Sequence, residues 1–295
     1  MTEEVAKEPV ELTEVETRAR NPVIAFLFSI CPGLGQQYAG HIVRGISLYF
    51  ALIVVSWLAA IMFMYIESKI SIIFLAVPFV GVLAIAVDAY LLAKKQPANY
   101  RLKWFNKPVM YVGVFLLLMV TVNPIMDMVV GQKIVRAAPI WTNSMSPTIL
   151  KYDLVLVNKL AKPQRGDIVM LDFRGDAGGG LTKVMESQLI RRIVAAPGDT
   201  IELRNQDVFL NGEKLDESYA FFGPATASQY TLGPVEVPPG SYFVLSDNRT
   251  AGFDSRMLGF VDERKVSGVV TKVFWSWNFD DGGIQWGRTA MSLKQ

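Results

Sequence analysis

Cysteine and histidine are nearly absent from this chain of 295 residues, which holds one of each, Cys31 and His41. A single cysteine excludes an internal disulfide framework and a cysteine-based zinc site. No spacing of Asp or Glu forms a ligand set either, so the sequence implies no metal and no cofactor. Clustered positive charge is missing too: 29 Lys and Arg stand against 27 Asp and Glu, a net charge of +2, and the basic residues are scattered among acids. Nucleic acid is therefore not an expected partner. The amino terminus lacks the positive start of a secretory signal peptide, because Glu3, Glu4, Glu8, Glu11, Glu14 and Glu16 outnumber Lys7, Arg18 and Arg20.

What the chain has in abundance is apolar residues. At 51% hydrophobic and a mean hydropathy of +0.30, it is too apolar for an ordinary soluble domain and too polar to be membrane throughout. Residues 46–66 carry no charge, and roughly 20 apolar residues suffice to cross the hydrocarbon core. A second run, 70–93, is broken only by Asp88, and a third covers 109–126. The stretch 23–39 is short and interrupted by Cys31-Pro32-Gly33, which reads as an interfacial or re-entrant helix. Lys94, Lys95, Arg101, Lys103 and Lys107 between the second and third runs outnumber Glu67 and Lys69 between the first and second, so the 94–107 loop is expected on the cytoplasmic side. Everything from about Lys133 onward then lies outside, and the tail, His41 and Arg44 lie inside.

The expected organisation is a disordered cytosolic tail (1–21), a membrane module (22–95), a basic loop (96–107), a third transmembrane helix (108–132) and an outer β-rich domain (133–295). The fold class is thus a mixed membrane protein, with α-helical transmembrane segments ahead of an all-β domain. In that domain, β-rich runs at 154–158, 167–173, 189–195, 200–203, 208–210, 241–245 and 266–275 are separated by turn signals. Asn211-Gly212 between two such runs predicts a two-residue hairpin, since a type I′ turn needs positive φ at both central positions. The glycines of 175–180 lack the Lys-Ser/Thr of a phosphate loop. Phe274, Trp275, Trp277, Phe279 and Trp286 read as β-domain core or as a membrane-contacting surface.

Pro32-Gly33-Leu34-Gly35-Gln36-Gln37-Tyr38, followed by Arg44-Gly45 and an apolar helix, resembles small two-helix bacterial membrane modules with a Pro-Gly-x-Gly-Gln-x-Tyr signature. That resemblance names no chemistry, and close helix packing is the reading of its glycines. Ser144, in Thr142-Asn143-Ser144-Met145-Ser146-Pro147-Thr148, stands some 18 residues after the third run, close to where a bilayer-tethered substrate would present its backbone. Taken alone it is an ordinary turn serine.

The order of segments around it carries more. Asn143-Ser144-Met145-Ser146-Pro147-Thr148-Ile149, Asp153 to Lys159, Arg165-Gly166-Asp167-Ile168-Val169, Arg191-Arg192-Ile193-Val194-Ala195-Ala196-Pro197-Gly198-Asp199 and Ser246-Asp247-Asn248-Arg249 with Asp254-Ser255-Arg256 resemble, in order, the boxes of type I signal peptidases. The resemblance covers about residues 134–288. It implies a β-rich serine protease with a Ser–Lys dyad, cutting signal peptides from preproteins after a small-x-small pattern at the outer surface of a bacterial plasma membrane, with preproteins and the lipid bilayer as partners. Carried over, Ser144 is the nucleophile, and its backbone N–H with the Thr142 hydroxyl forms the oxyanion hole. Met145 shapes the substrate pocket, Asp247 and Arg192 form a structural ion pair, and Asp254 and Arg256 brace the wall.

Two positions depart from that pattern. The base lysine falls at Arg191, and a guanidinium stays protonated, so it cannot take the serine proton. The hydroxyl that commonly orients the lysine falls at Gly252. Lys183 or Lys159 are the substitute amines to consider, since His41, on the opposite side of the membrane, excludes a Ser-His-Asp triad. The alternative to an active endopeptidase is a catalytically silent homologue that binds signal peptides or membrane-protein partners.

Overall fold

The computed structural model describes residues 17–66, 69–126, 128, 131–173, 188–223, 230–250, 252–279 and 282–294. The chain divides into two compact units, Met1–Ile61 with Ile73–Pro124, and Met62–Ile72 with Ile125–Gln295.

The helical unit is built from α1 (Pro22–Phe28), α2 (Leu34–Tyr38), α4 (Val77–Lys94) and most of α3 (Ile42–Tyr65) and α5 (Pro108–Met126), whose last residues, from Met62 and from Ile125, belong to the second unit. α3 and the stretch Ile70–Lys94 are long and apolar enough to cross a membrane, while the apolar part of α5, Pro108–Thr121, is shorter. α1 starts on the Asn21 side chain, which accepts from the Val23 N–H at 2.9 Å, with Pro22 at the position whose N–H has no helical partner. The glycine-rich motif serves close approach: a Cβ on Gly33, whose φ is 96°, would come within 2.6 Å of the Gly45 carbonyl oxygen. Its buried glutamines stitch elements together. Gln36 donates to the Ile85 carbonyl and to Asp88, which Arg44 also binds at 2.6 Å, and Gln37 donates to the Phe105 carbonyl.

The second unit holds fourteen strands among its described residues. The main antiparallel sheet contains β1 (Val135–Pro139), β2 (Leu154–Asn158), β3 (Ile168–Asp172), β4 (Gln188–Ala195), β9 (Ser241–Leu245), β10 (Val261–Asp262), β11 (Val266–Trp275) and β14 (Met291–Ser292). Its order is β1-β2-β11-β3-β4-β9-β10, with β14 against β11. A smaller sheet joins β7 (Glu213–Lys214), β6 (Asp207–Leu210), β5 (Thr200–Arg204) and β8 (Leu232–Glu236) in that order, and β12 (Trp277–Asn278) pairs β13 (Gly283–Ile284). The β6–β7 hairpin turns on Asn211 and Gly212 at φ 53° and 86°, as the dipeptide requires. One short helix, α6 (Ser255–Leu258), starts on Asp254.

β1 and β8 lie outside the expected strands. Both are edge strands, β1 ending in Pro139 and β8 carrying Gly233 and Pro234, residues that weaken a strand signal and are tolerated where one ladder is absent. Core packing follows the alternation of the inner strands. One cluster gathers Met145, Ile149, Val155, Val157, Ile168, Met170 and Val273; another gathers Val194, Ile201, Leu203, Val208, Phe243 and Leu245. Each such side chain contributes about 1.5–3 kcal/mol on burial. The C-terminal aromatics are not core throughout: Phe279 and Trp286 are exposed, and Trp275 and Trp277 half-buried. Lys272 on β11 is buried and donates to the Phe63 carbonyl and the Ser71 hydroxyl.

Candidate active site

Ser144 sits in the turn between β1 and β2, held from the Ser246–Arg249 segment that follows β9. The Asn248 N–H donates to the Ser144 carbonyl at 3.0 Å, and the Asn248 side chain donates to the carbonyl of Asn143 at 3.2 Å. The turn closes on itself through the Ser146 N–H to Asn143 and the Ile149 N–H to Met145. The Ser144 backbone is thereby pinned, and the residue is buried.

Two groups reach its Oγ. The Thr142 hydroxyl lies 3.1 Å away, and Arg191 Nη1 donates to it at 3.0 Å. β4 presents Arg191 opposite Val169 of β3, and the guanidinium is fixed further by Nε donating to the Phe253 carbonyl at 2.9 Å and Nη1 to the Ile190 carbonyl. Burial pulls the Arg191 pKa down to about 10, against the pull of Asp254 upward. The group therefore stays charged at neutral pH, and a charged donor cannot accept the hydroxyl proton. No amine, imidazole or carboxylate is hydrogen-bonded to Ser144 Oγ among the described residues. Lys159 directs its ammonium to the Gln132 carbonyl at 2.9 Å, so the structure does not bring it to Ser144. Lys183 lies outside the described residues.

The neighbouring arginine is treated differently. Arg192 projects to the other face of β4, as successive strand residues do, and forms a bidentate pair with Asp247, Nε to Oδ1 at 2.8 Å and Nη2 to Oδ2 at 2.7 Å. Its Nη1 donates to the Gly166 carbonyl, its plane lies 4.0 Å from the Tyr219 ring centroid, and Asp247 also accepts from the Thr148 hydroxyl. Asp254 is bound by Arg256 at both oxygens and by the backbone N–H groups of Ser246 and Arg256. Burial alone would raise the Asp254 pKa, but these donors hold it below the ordinary carboxylate range. Met145, expected to shape the substrate pocket, is almost wholly covered and belongs to the first core cluster.

Gly252 has a neighbour that its own sequence position does not disclose. A Cβ placed there would fall 1.9 Å from Ser246 Oγ and 3.6 Å from Ser144 Cβ. The space that a side chain at 252 would need is filled by the Ser246 hydroxymethyl, whose Oγ is buried with no hydrogen-bond partner among the described residues. Ser246 and the buried Arg249–Glu217 pair, 2.5 Å apart, are the members of this cluster that sequence reasoning did not single out. A serine directly before Asp247 was the only available signal for the first; the second joins residues 32 positions apart.

Comparison with known proteins bears on this arrangement. The family described as signal peptidase, peptidase S26, matches residues 109–275, more than half of the chain, and the chain belongs to it. A probable signal peptidase I-2 of Synechocystis is 34% identical over 146 residues, 48% of this chain and 64% of that protein. Signal peptidase I S of Bacillus subtilis is 35% identical over 148 residues, 46% of this chain and 74% of that protein. A crystal structure of a signal peptidase I from Enterococcus faecalis is 31% identical and covers 38% of this chain and 98% of that one, at a TM-score of 0.30. The chain thus spans just under two thirds of the Synechocystis relative's length.

Proposed function

We propose that this chain works on secretory preproteins at the outer face of a bacterial plasma membrane, receiving the signal peptide in the cleft at Ser144. Membership of the signal peptidase family supports the substrate class. The outer location of Ser144, with the amino terminus inside, is supported by the surplus of Lys and Arg in the 94–107 loop over the loop before it. In the reading the geometry supports best, the peptide is held and not cut. The observation that carries it is the 3.0 Å hydrogen bond from Arg191 Nη1 into Ser144 Oγ: a permanent donor occupies the place where a proton acceptor is needed.

A second reading, a serine endopeptidase cutting after a small-x-small site, is favoured by the Ser144 and Thr142 hydroxyls, which stand 3.1 Å apart, as a nucleophile and an oxyanion donor would. It requires another base, Lys183 being the first to test, or a purely electrostatic contribution from Arg191. A positioned base is typically worth about 10²–10⁴-fold in rate.

The test uses the purified, detergent-solubilised full chain with a model preprotein bearing an Ala-x-Ala site, measuring binding and cleavage for the chain as given, Ser144→Ala and Arg191→Lys. Equal binding without cleavage by the first two supports the holding reading. Cleavage by the chain as given that disappears in Ser144→Ala sinks it and establishes the endopeptidase.

A further inference from the structure

Four arginines and three carboxylates are packed around the candidate cleft, and their pairing leaves one charge over. Arg192 is matched by Asp247 at 2.7 Å, Arg249 by Glu217 at 2.5 Å and Arg256 by Asp254 at 2.8 Å. Among the described residues Arg191, 4% exposed, forms no ion pair; its three hydrogen bonds there go to neutral acceptors, the Phe253 and Ile190 carbonyls and Ser144 Oγ. Asp254, the carboxylate that acts on it most strongly, has both oxygens committed to Arg256 and to backbone N–H groups and has no capacity left to serve it. An uncompensated buried cation is costly until an anion reaches it.

The uncompensated charge stands beside the group that faces a substrate's terminal carbonyl. Nη2 of Arg191 has no hydrogen-bond partner among the described residues, and the Thr142 hydroxyl stands alongside as a neutral donor. From this juxtaposition we infer that the cleft is a receptor for a peptide α-carboxylate: it takes a peptide ending in a free carboxyl group, the chemistry of a signal peptide already cut elsewhere, in preference to an uncut chain. One carboxylate oxygen would sit where the oxyanion donors converge and the other on the guanidinium. An uncut peptide offers a neutral amide carbonyl there, which leaves the Arg191 charge unmatched. A hydrogen bond between two charged partners is roughly twice as strong as one between neutral partners, so the preference is large in a water-poor cleft. This assignment rests on the peptide-holding reading above and specifies its ligand.

The experiment compares two fluorescent peptides carrying the carboxyl-terminal part of a signal sequence and ending in Ala-Gln-Ala, one a free acid and one amidated, titrated against the solubilised full chain at pH 7. The acid is expected to bind at least about tenfold more tightly than the amide, and Arg191→Met to bring that ratio close to one. The acid-to-amide ratio of the unmutated chain is measured without any variant, so it stands even if Arg191→Met fails to fold. Equal binding of acid and amide, alongside intact preprotein, overturns the carboxylate assignment and leaves the peptide-holding reading in place. Failure of both peptides and of intact preprotein to bind removes both. An acid preference that persists in Arg191→Met overturns Arg191 as its source.

Discussion

Strand β4 carries two adjacent buried arginines whose surroundings could hardly differ more. On one face, Arg192 is neutralised by a bidentate carboxylate, capped by a backbone carbonyl and covered by an aromatic ring. On the other, Arg191 donates, among the described residues, only to neutral oxygens, one of them the hydroxyl of Ser144. The first arrangement is complete without a ligand; the second is complete only with one. Two like charges on neighbouring residues therefore stand differently, one fixing the Ser246–Arg249 segment to the sheet and the other left unmatched beside Ser144.

That contrast predicts its own breaking points. Asp247→Ala strands Arg192 with a buried uncompensated charge and is expected to destabilise the second unit by about 3–5 kcal/mol, read as a lower urea midpoint in tryptophan fluorescence. A loss of well under 1 kcal/mol would mean that the Arg192 side is no more self-sufficient than the Arg191 side. Gly252→Ser comes next. The new Cβ collides with Ser246 Oγ and is expected to cost about 1–3 kcal/mol, most of it returned when Ser246→Gly is added. Additive losses in the double variant would show that the two positions do not share one space. The smallest effect belongs to a surface pair. Asp262, held by Arg264 well below the ordinary carboxylate range, to about 2, is half-buried beside an exposed Arg264, and Arg264→Ala is expected to leave the urea midpoint unchanged.

Much of the second unit was readable in advance because its inner strands alternate or run apolar between clear turn signals. β2, β9 and β11 coincide with the expected runs at 154–158, 241–245 and 266–275, and Asn211-Gly212 turns where its backbone preference demands. β1 and β8 escaped because an edge strand tolerates Pro and Gly and need not bury either face. The C-terminal aromatics were ambiguous for a different reason: side-chain type does not say which face of a strand meets the core, and Phe279 and Trp286 ended outside. In the candidate site, the box order named Ser144, Thr142, Arg191, Arg192, Asp247, Asp254 and Arg256, and the fold gathers these seven from segments more than 100 residues apart.

The amino-acid sequence by itself determined the charge balance, the apolar runs long enough to cross a membrane and the β-rich character of the second half, since each follows from residue type and local spacing; the resemblance of its ordered boxes added that a guanidinium stands where the base lysine falls. Only the tertiary structure decided that, among the described residues, Arg192 has a counter-ion and Arg191 has none, and that the Ser246 side chain fills the space above Gly252. Those outcomes depend on which side chains from distant segments arrive within about 3 Å of one another, and hydrogen bonding and packing are set by that distance and direction, not by separation along the chain.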